Sequence, residues 1–197
     1  LKGRGLVYPC FCTRAEIAAE IAASASAPHD GYGSLYPGTC RLLNEAGRAA
    51  RLACDPCCWR FDMQRALAAV DGPLRWFDED RGWMEADPSK AGDVVLARKD
   101  APTSYHLAAT LDDAEMGITY VVRGEDLRAA TDIHRLLQAL FSLPTPTYRH
   151  HGLLVDAAGR RLAKRDGGLM LAELRNLGID PLNLVNDLRA GVFPVGI

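Results

Sequence analysis

The sequence predicts an α/β fold, on three observations. From Gly92 onward, β-branched runs alternate with helical ones, the order that a parallel sheet with helical crossovers requires. All six cysteines lie between positions 10 and 58, apart from that alternating region, and no strand series is read there. The 197 residues are 48% hydrophobic, enough for one substantial core or two small ones.

The elements follow in order. "LKGRGLVYP" has the character of a helix tail, with basic residues and then Gly5 as a C-terminal stop. "VYPCFC" is extended, and Thr13 with Glu16 forms a capping-box pattern ahead of a helix over 14–25. "ASAPHDGYGSLYPG" is loop, dense in Gly and Pro. "CRLLNEAGRAARLAC" suggests a short helix, whereas "DPCCWRFDM" and the Trp-containing stretch to residue 92 suggest no regular element. Then come strand ("DVVLARK"), helix ("YHLAATLDDAEMG", with Leu107, Leu111 and Ala114 on one stripe and a stop at Gly117), and strand ("ITYVVRG"). The next helix, "DLRAATDIHRLLQALFSL", carries apolar residues at 133, 136, 137, 140 and 141, and Pro144 closes it. "YRHHGLLVD" is the third strand of the series, and the chain beyond Lys164 turns helical.

Charge nearly balances, with 23 basic against 25 acidic residues, so a globally basic nucleic-acid binder is excluded and RNA contact needs a local patch. No apolar run approaches the roughly 20 residues of a membrane span, and no signal peptide is visible. Without an export signal the expected compartment is the cytoplasm, where clustered thiols favour metal over disulfides.

Three constellations carry chemistry. Cys10-x-Cys12, a Gly/Pro-rich loop and Cys40 make three corners of a tetrahedral metal site. Its fourth corner could be Tyr36, His29, or a cysteine of Cys54-x2-Cys57, and spacing alone prefers the Cys54/Cys57 pair; unliganded buried cysteines are the other reading. Cys58 packs as a small hydrophobe. The loop with Arg160, Arg161, Lys164 and Arg165 suits closure on phosphate, or else is a solvated hairpin tip. Arg123 ends a predicted strand, where open α/β sheets place their ligand crevice. It suits a substrate carboxylate, or else pairs with Glu125 or Asp126. Tyr105 lines the same crevice or the core, and His150 and His151 read as strand-edge residues without an acid/base partner.

Taken together, "YPCFCTR", "YPGTCR", Phe61-Asp62, "GDVVLARKDAPTSYHLAATLDDAEMGITYVVRGEDL", "ATDIHRLLQALF" and "HGLLVDAAGRRLAKRDG" resemble, in order and over nearly the whole chain, the glutamyl-Q tRNA(Asp) synthetases. These are short class I relatives of glutamyl-tRNA synthetase. The resemblance implies a partial Rossmann-like class I catalytic domain with an inserted zinc-binding subdomain and a short helical C-terminal segment. The expected bounds are 1–91 for the zinc-binding and connective region, 92–166 for the second half of the nucleotide-binding fold, and 167–197 for the helical segment. It implies structural Zn2+ on Cys10, Cys12, Tyr36 and Cys40, which displaces the spacing-based preference. It also implies glutamate on Tyr105 and Arg123, and a KMSKS-like loop at Arg161, Leu162, Ala163, Lys164 and Arg165. In that loop Lys164 is the catalytic, ATP-contacting lysine, and Ala163 stands where the usual serine would be.

The activity implied is activation of glutamate with ATP and Mg2+, independent of tRNA, and transfer to the queuosine of the tRNA(Asp) anticodon arm by a monomeric, membrane-free enzyme. Such enzymes open with a first strand and a HIGH-type ATP motif that Leu1 would follow. The sequence is therefore expected to be a piece of a longer chain, inactive alone. Two alternatives are a glutamyl-tRNA synthetase acting on the acceptor end, which the short segment after Lys164 disfavours, and a non-catalytic zinc-containing RNA-binding module.

Overall fold

A computed structural model describes residues 1–23, 35–153 and 170–192. The chain divides into two compact units, Leu1–His150 and His151–Ile197. The first unit opens with a 3-10 turn, Lys2–Arg4, that Gly5 closes in the left-handed region at φ 68°, a conformation that favours a residue without Cβ. Strand β1 (Val7–Cys10) follows, and then helix α1 (Arg14–Ala23). The capping box is present: Thr13 N–H donates to Glu16 Oε2 at 2.6 Å and Glu16 N–H to Thr13 Oγ1 at 3.2 Å.

Helix α2 (Glu45–Cys54) starts at Asn44, whose side chain accepts from Gly47 N–H at 2.8 Å. The stretch "DPCCWRFDM" contains strand β2 (Cys58–Phe61) and the start of helix α3 (Met63–Ala68), capped by Asp62. Strands β3 (Arg75–Asp78) and β4 (Gly82–Glu85) form a hairpin in the Trp-containing region, and β5 (Val95–Ala97) follows. Neither β2 nor the hairpin was expected, because their short runs mix charges with apolar residues and give no clean period.

Helix α4 (Tyr105–Glu115), strand β6 (Tyr120–Gly124), helix α5 (Arg128–Phe141) and strand β7 (Thr147–His151), whose residues to His150 belong to the first unit, follow. The strands form two sheets. One has the order β1-β2-β5 with antiparallel pairing. The other has the order β4-β3-β7-β6, with β3 and β4 antiparallel and β3 and β7 parallel. A parallel pairing is thus present, but it joins β7 to the unexpected β3, and β5 corrects the expected strand series. It is three residues long and joins β2 in the other sheet rather than continuing beside β6.

The main core gathers Leu6, Phe61, Met63, Leu74 and Leu96 around Ile133, Leu136, Leu137 and Leu140 of α5. Those four are spaced i, i+3, i+4, i+7, the stripe expected from the sequence. Leu111 of α4 departs from its expected stripe and is exposed, whereas Leu107 packs against the core. A smaller core of Tyr8, Cys10, Phe11, Cys40 and Cys58 lies on the β1-β2-β5 side. Asp93, buried ahead of β5, links the parts of this region: Tyr8 Oη–H donates to it at 2.6 Å, Met63 N–H at 3.0 Å and Arg41 at 3.2 Å.

In the second unit, α6 (Leu171–Asn176) and α7 (Pro181–Arg189) form a helical pair that buries Leu174. Among the described residues no helix is long and apolar enough to cross a membrane.

Leu136 is fully buried at the centre of the α5 stripe. Leu136→Ala is expected to lower stability by about 2–5 kcal/mol in denaturant unfolding, because truncation leaves a cavity. Leu111→Ala, on an exposed position, should cost well under that, about 0.5 kcal/mol or less.

Candidate active site and candidate metal centre

Arg123 is the next-to-last residue of β6, and the strand's end aims its guanidinium at α4, α5 and β7. Its Nε–H donates to His150 Nε2 at 3.2 Å. One terminal nitrogen donates to Tyr105 Oη at 3.1 Å and lies 3.3 Å from His134 Nδ1. The other donates to Thr131 Oγ1 at 2.6 Å. The Tyr148 ring lies below, with its centroid 5.2 Å away. Every one of these partners is an uncharged acceptor or ring.

The ion pair to Glu125 that the sequence left open does not form. Glu125 is held instead by Arg81 at 2.9 Å and by Arg128 at 2.5 Å. Among the described residues, no carboxylate lies within ion-pair distance of Arg123. Tyr105 opens α4 and is half exposed, so its phenol reaches the open side of the guanidinium rather than the core.

The surrounding histidines are neutral. Burial, the nearby Arg123 charge and His106 together pull His134 down to about 3. Burial and Arg123 lower His106 likewise. His150 is not the strand-edge residue expected. Strand β7 lies between β3 and β6, so the inward-facing side chain is fully buried, and its Nδ1 is 2.8 Å from Asp78 Oδ2. Burial outweighs the pull of Asp78 and lowers its pKa. For Asp78 burial pushes upward, but the hydrogen bonds from His150 and from Asp80 N–H prevail and the carboxyl lies below its usual range. Sequence reasoning missed Asp78 altogether, since nothing in "RWFDED" separates it from its exposed acidic neighbours. His151, by contrast, is exposed at the strand's end.

The thiols of Cys10, Cys12 and Cys40 lie within 4.8 Å of one another. Cys10 ends β1, Cys12 follows it, and Cys40 is carried by the 3-10 turn Thr39–Leu42 after Gly38, whose φ of 93° reverses the chain. Cys12 Sγ is 3.4 Å from both Cys40 Sγ and Tyr36 Oη. Backbone N–H groups point inward: Phe11 donates to Cys40 Sγ at 3.4 Å, and Cys40 to Tyr36 Oη at 2.9 Å.

Zinc–sulfur bonds of about 2.3 Å imply tetrahedral edges of about 3.8 Å, so three thiols and a phenol at these separations fit a four-coordinate cation. The hydrogen bond from Cys58 foremost, against the opposing effect of burial, holds Cys10 down at about 4; burial pushes Cys12 up to about 11. Burial and bonds to Cys10 and Cys12 push the Tyr36 phenol upward, so gathering these groups as anions needs an added positive charge. Cys54 is exposed and Cys57 half-buried, and neither joins the cluster that spacing alone assigned to them. Cys58 is buried opposite Cys10 across the β1–β2 pair. His29 and the cationic loop, with Arg160, Arg161, Leu162, Ala163, Lys164 and Arg165, lie outside the described residues.

Residues 1–196 match the model of the class I tRNA synthetases (E and Q), catalytic domain. The chain is 43% identical over 192 residues to the glutamyl-Q tRNA(Asp) synthetase of Rhodobacter capsulatus, covering 92% of this chain and 66% of that protein. It is 40% identical over 182 residues to the protein of the same name from Nocardia farcinica, covering 92% and 54%. Among solved structures, a glutamate tRNA ligase from Elizabethkingia meningosepticum in complex with its amino acid superposes with a TM-score of 0.61. It is 29% identical, with 82% of this chain and 32% of that one covered. A glutamate-tRNA synthetase from Elizabethkingia anophelis gives 0.62 at 29% identity. The chain thus spans between about half and two thirds of these curated relatives.

The cysteine geometry generates a prediction. Anaerobically purified protein should carry about one zinc per chain by elemental analysis. Cys12→Ser should release it and Cys54→Ser should retain it; the opposite pattern would move the site to the second cysteine pair.

Proposed function

Because the chain belongs to the family of class I tRNA synthetase catalytic domains specific for glutamate and glutamine, we propose that it is part of an enzyme that activates glutamate with ATP and transfers it to the queuosine of tRNA(Asp). The observation that carries the glutamate reading is the Arg123 guanidinium, held by four neutral acceptors with no carboxylate at ion-pair distance among the described residues. A cation so placed lowers its energy most by taking an anion, and its planar fork matches a carboxylate bidentately.

Glutamate has two carboxylates, and only one reacts. In this reading Arg123 and Tyr105 hold the spectator carboxylate, which leaves the other free. An oxygen of the free carboxylate attacks the α-phosphorus of ATP, the bond from that phosphorus to the bridging oxygen breaks, and pyrophosphate departs with the electron pair. No general base is required, because a carboxylate is already ionised at neutral pH. Lys164 stabilises charge on the departing pyrophosphate, a role confined to the transition state. Magnesium accompanies the nucleotide.

Cys10, Cys12, Cys40 and Tyr36 would hold zinc, which when bound ties the Gly38 turn to the end of β1 and takes no part in the chemistry. The domain bounds of the resemblance, 1–91, 92–166 and 167–197, belong to this proposal. So do a monomeric state and a cytoplasmic location.

The queuosine acceptor rests on the relatives' shared name. The alternative acceptor is the tRNA 3′ end, since the similar solved structures are named a glutamate tRNA ligase and a glutamate-tRNA synthetase, without mention of queuosine. Charging assays with tRNA(Asp) that has or lacks queuosine decide between them: glutamate should be incorporated only where queuosine is present.

Two substitutions in the full gene product test the mechanism. Arg123→Lys should raise the KM for glutamate by about tenfold or more, the loss of one charged hydrogen bond, with the KM for ATP nearly unchanged. Equal losses for both ligands would make Arg123 a structural residue. Lys164→Ala should lower kcat for glutamate-dependent ATP–pyrophosphate exchange by about a hundredfold with little change in either KM. An unchanged kcat would remove Lys164 from the chemistry.

A further inference from the structure

We propose that Asp78 and His150 act as a positioning pair for Arg123, setting both the direction of its guanidinium and the acceptor that its Nε–H meets. The proposal rests on the reading of Arg123 as the anchor for glutamate. It adds two residues from elsewhere in the chain, one of them on a strand that no motif marks.

The parallel register of β3 and β7 sets Asp78 against Tyr148, so the Asp78 carboxylate ends beside His150 inside the sheet. Both side chains are wholly buried. Asp78 has one oxygen on His150 Nδ1 at 2.8 Å, while the other accepts from Asp80 N–H at 3.1 Å and lies 3.5 Å from Arg81. An ionised carboxylate only accepts hydrogen bonds, so the imidazole must carry its proton on Nδ1. Nε2 is then a bare lone pair, and it faces Arg123 Nε at 3.2 Å and Thr131 Oγ1 at 3.2 Å. Thr131 joins the circuit: its oxygen accepts from Arg123, and its own hydrogen shares the single Nε2 lone pair with the Arg123 Nε–H. Every donor in this circuit meets an acceptor.

Moving the imidazole proton to Nε2 would oppose two donors, N–H against N–H, at the point where Arg123 is held. The buried charge of Asp78 prevents that. The ring itself cannot swing away, because Tyr148 stacks on it at 6.0 Å with an 8° interplanar angle and Trp76 closes it edge-on at 5.6 Å. A catalytic acid/base role for this pair fails on the same geometry. Nε2 is fully committed within the protein and buried, so it offers no site for a substrate proton.

The test uses the full gene product and glutamate-dependent ATP–pyrophosphate exchange, comparing Asp78→Asn, His150→Asn, His150→Gln and Arg123→Lys, each checked for folding by thermal melting. The asparagine of His150→Asn keeps a polar atom near the Nδ1 position but none near Nε2. The glutamine of His150→Gln reaches the Nε2 position with its carbonyl oxygen. Asp78→Asn and His150→Asn should raise the KM for glutamate about tenfold or more while the KM for ATP moves less than about twofold. His150→Gln should recover most of the loss.

A glutamate KM left unchanged by Asp78→Asn and His150→Asn but raised by Arg123→Lys would overturn the positioning role alone. Equal damage from His150→Asn and His150→Gln, or equal loss of glutamate and ATP, would reduce the pair to core packing. An unchanged glutamate KM in Arg123→Lys would overturn the anchor reading beneath it. Should the buried variants fail to fold, 15N-resolved NMR of the wild-type histidines still decides. The Nδ1–H tautomer at His150 supports the proposal, and the Nε2–H tautomer overturns it.

Discussion

A guanidinium that meets no carboxylate at ion-pair distance among the described residues is the constraint around which the first unit is arranged. Arg123 draws partners from α4, α5 and β7 at once, so those elements must converge where β6 ends. Each partner is neutral, and each for a physical reason. Burial and the charge of Arg123 lower His134 and, behind it, His106, while burial lowers His150, whose Nδ1 lies 2.8 Å from Asp78. A carboxylate among these groups would satisfy the cation internally. The two nearest acidic candidates in the sequence differ in their fates: Glu125 is taken up by Arg81 and Arg128, and Asp126 is engaged in contacts of its own.

The second organising feature is the buried carboxylate of Asp93, which joins β1, α3 and the 3-10 turn bearing Cys40. Through Arg41 and Tyr8 it ties together the two segments that carry Cys10 and Cys40. The thiol cluster is therefore assembled by the protein's own hydrogen bonds, with Phe11 and Cys40 N–H groups already turned inward.

Much of this was legible in the sequence, and the failures share a cause. The α5 stripe, the Thr13–Glu16 box and the Gly5 stop each depend on residues near one another in the chain, so local spacing carried them. Arg123 and Tyr105 were placed in one crevice from strand order and resemblance, and their side chains do meet. Strand β2 and the true partner of β5 depend on pairings across tens of residues, which no local period encodes, and the β3–β4 hairpin, though local, mixes charges with apolar residues in runs too short for a clean period. Asp78 and His150 were missed or misread for the same reason. Their meaning arises only when β3 and β7 lie side by side, 72 residues apart in sequence.

The central claim is that Arg123 takes the carboxylate the protein withholds from it. The most direct measurement is a crystal structure of the full gene product with glutamate and a non-hydrolysable ATP analogue. The account predicts a glutamate carboxylate oxygen within about 3 Å of the Arg123 terminal nitrogens, beside Tyr105 Oη, with the other carboxylate directed at the α-phosphorus. Glutamate bound with neither carboxylate on Arg123, or Arg123 turned onto a protein carboxylate in that complex, would contradict it.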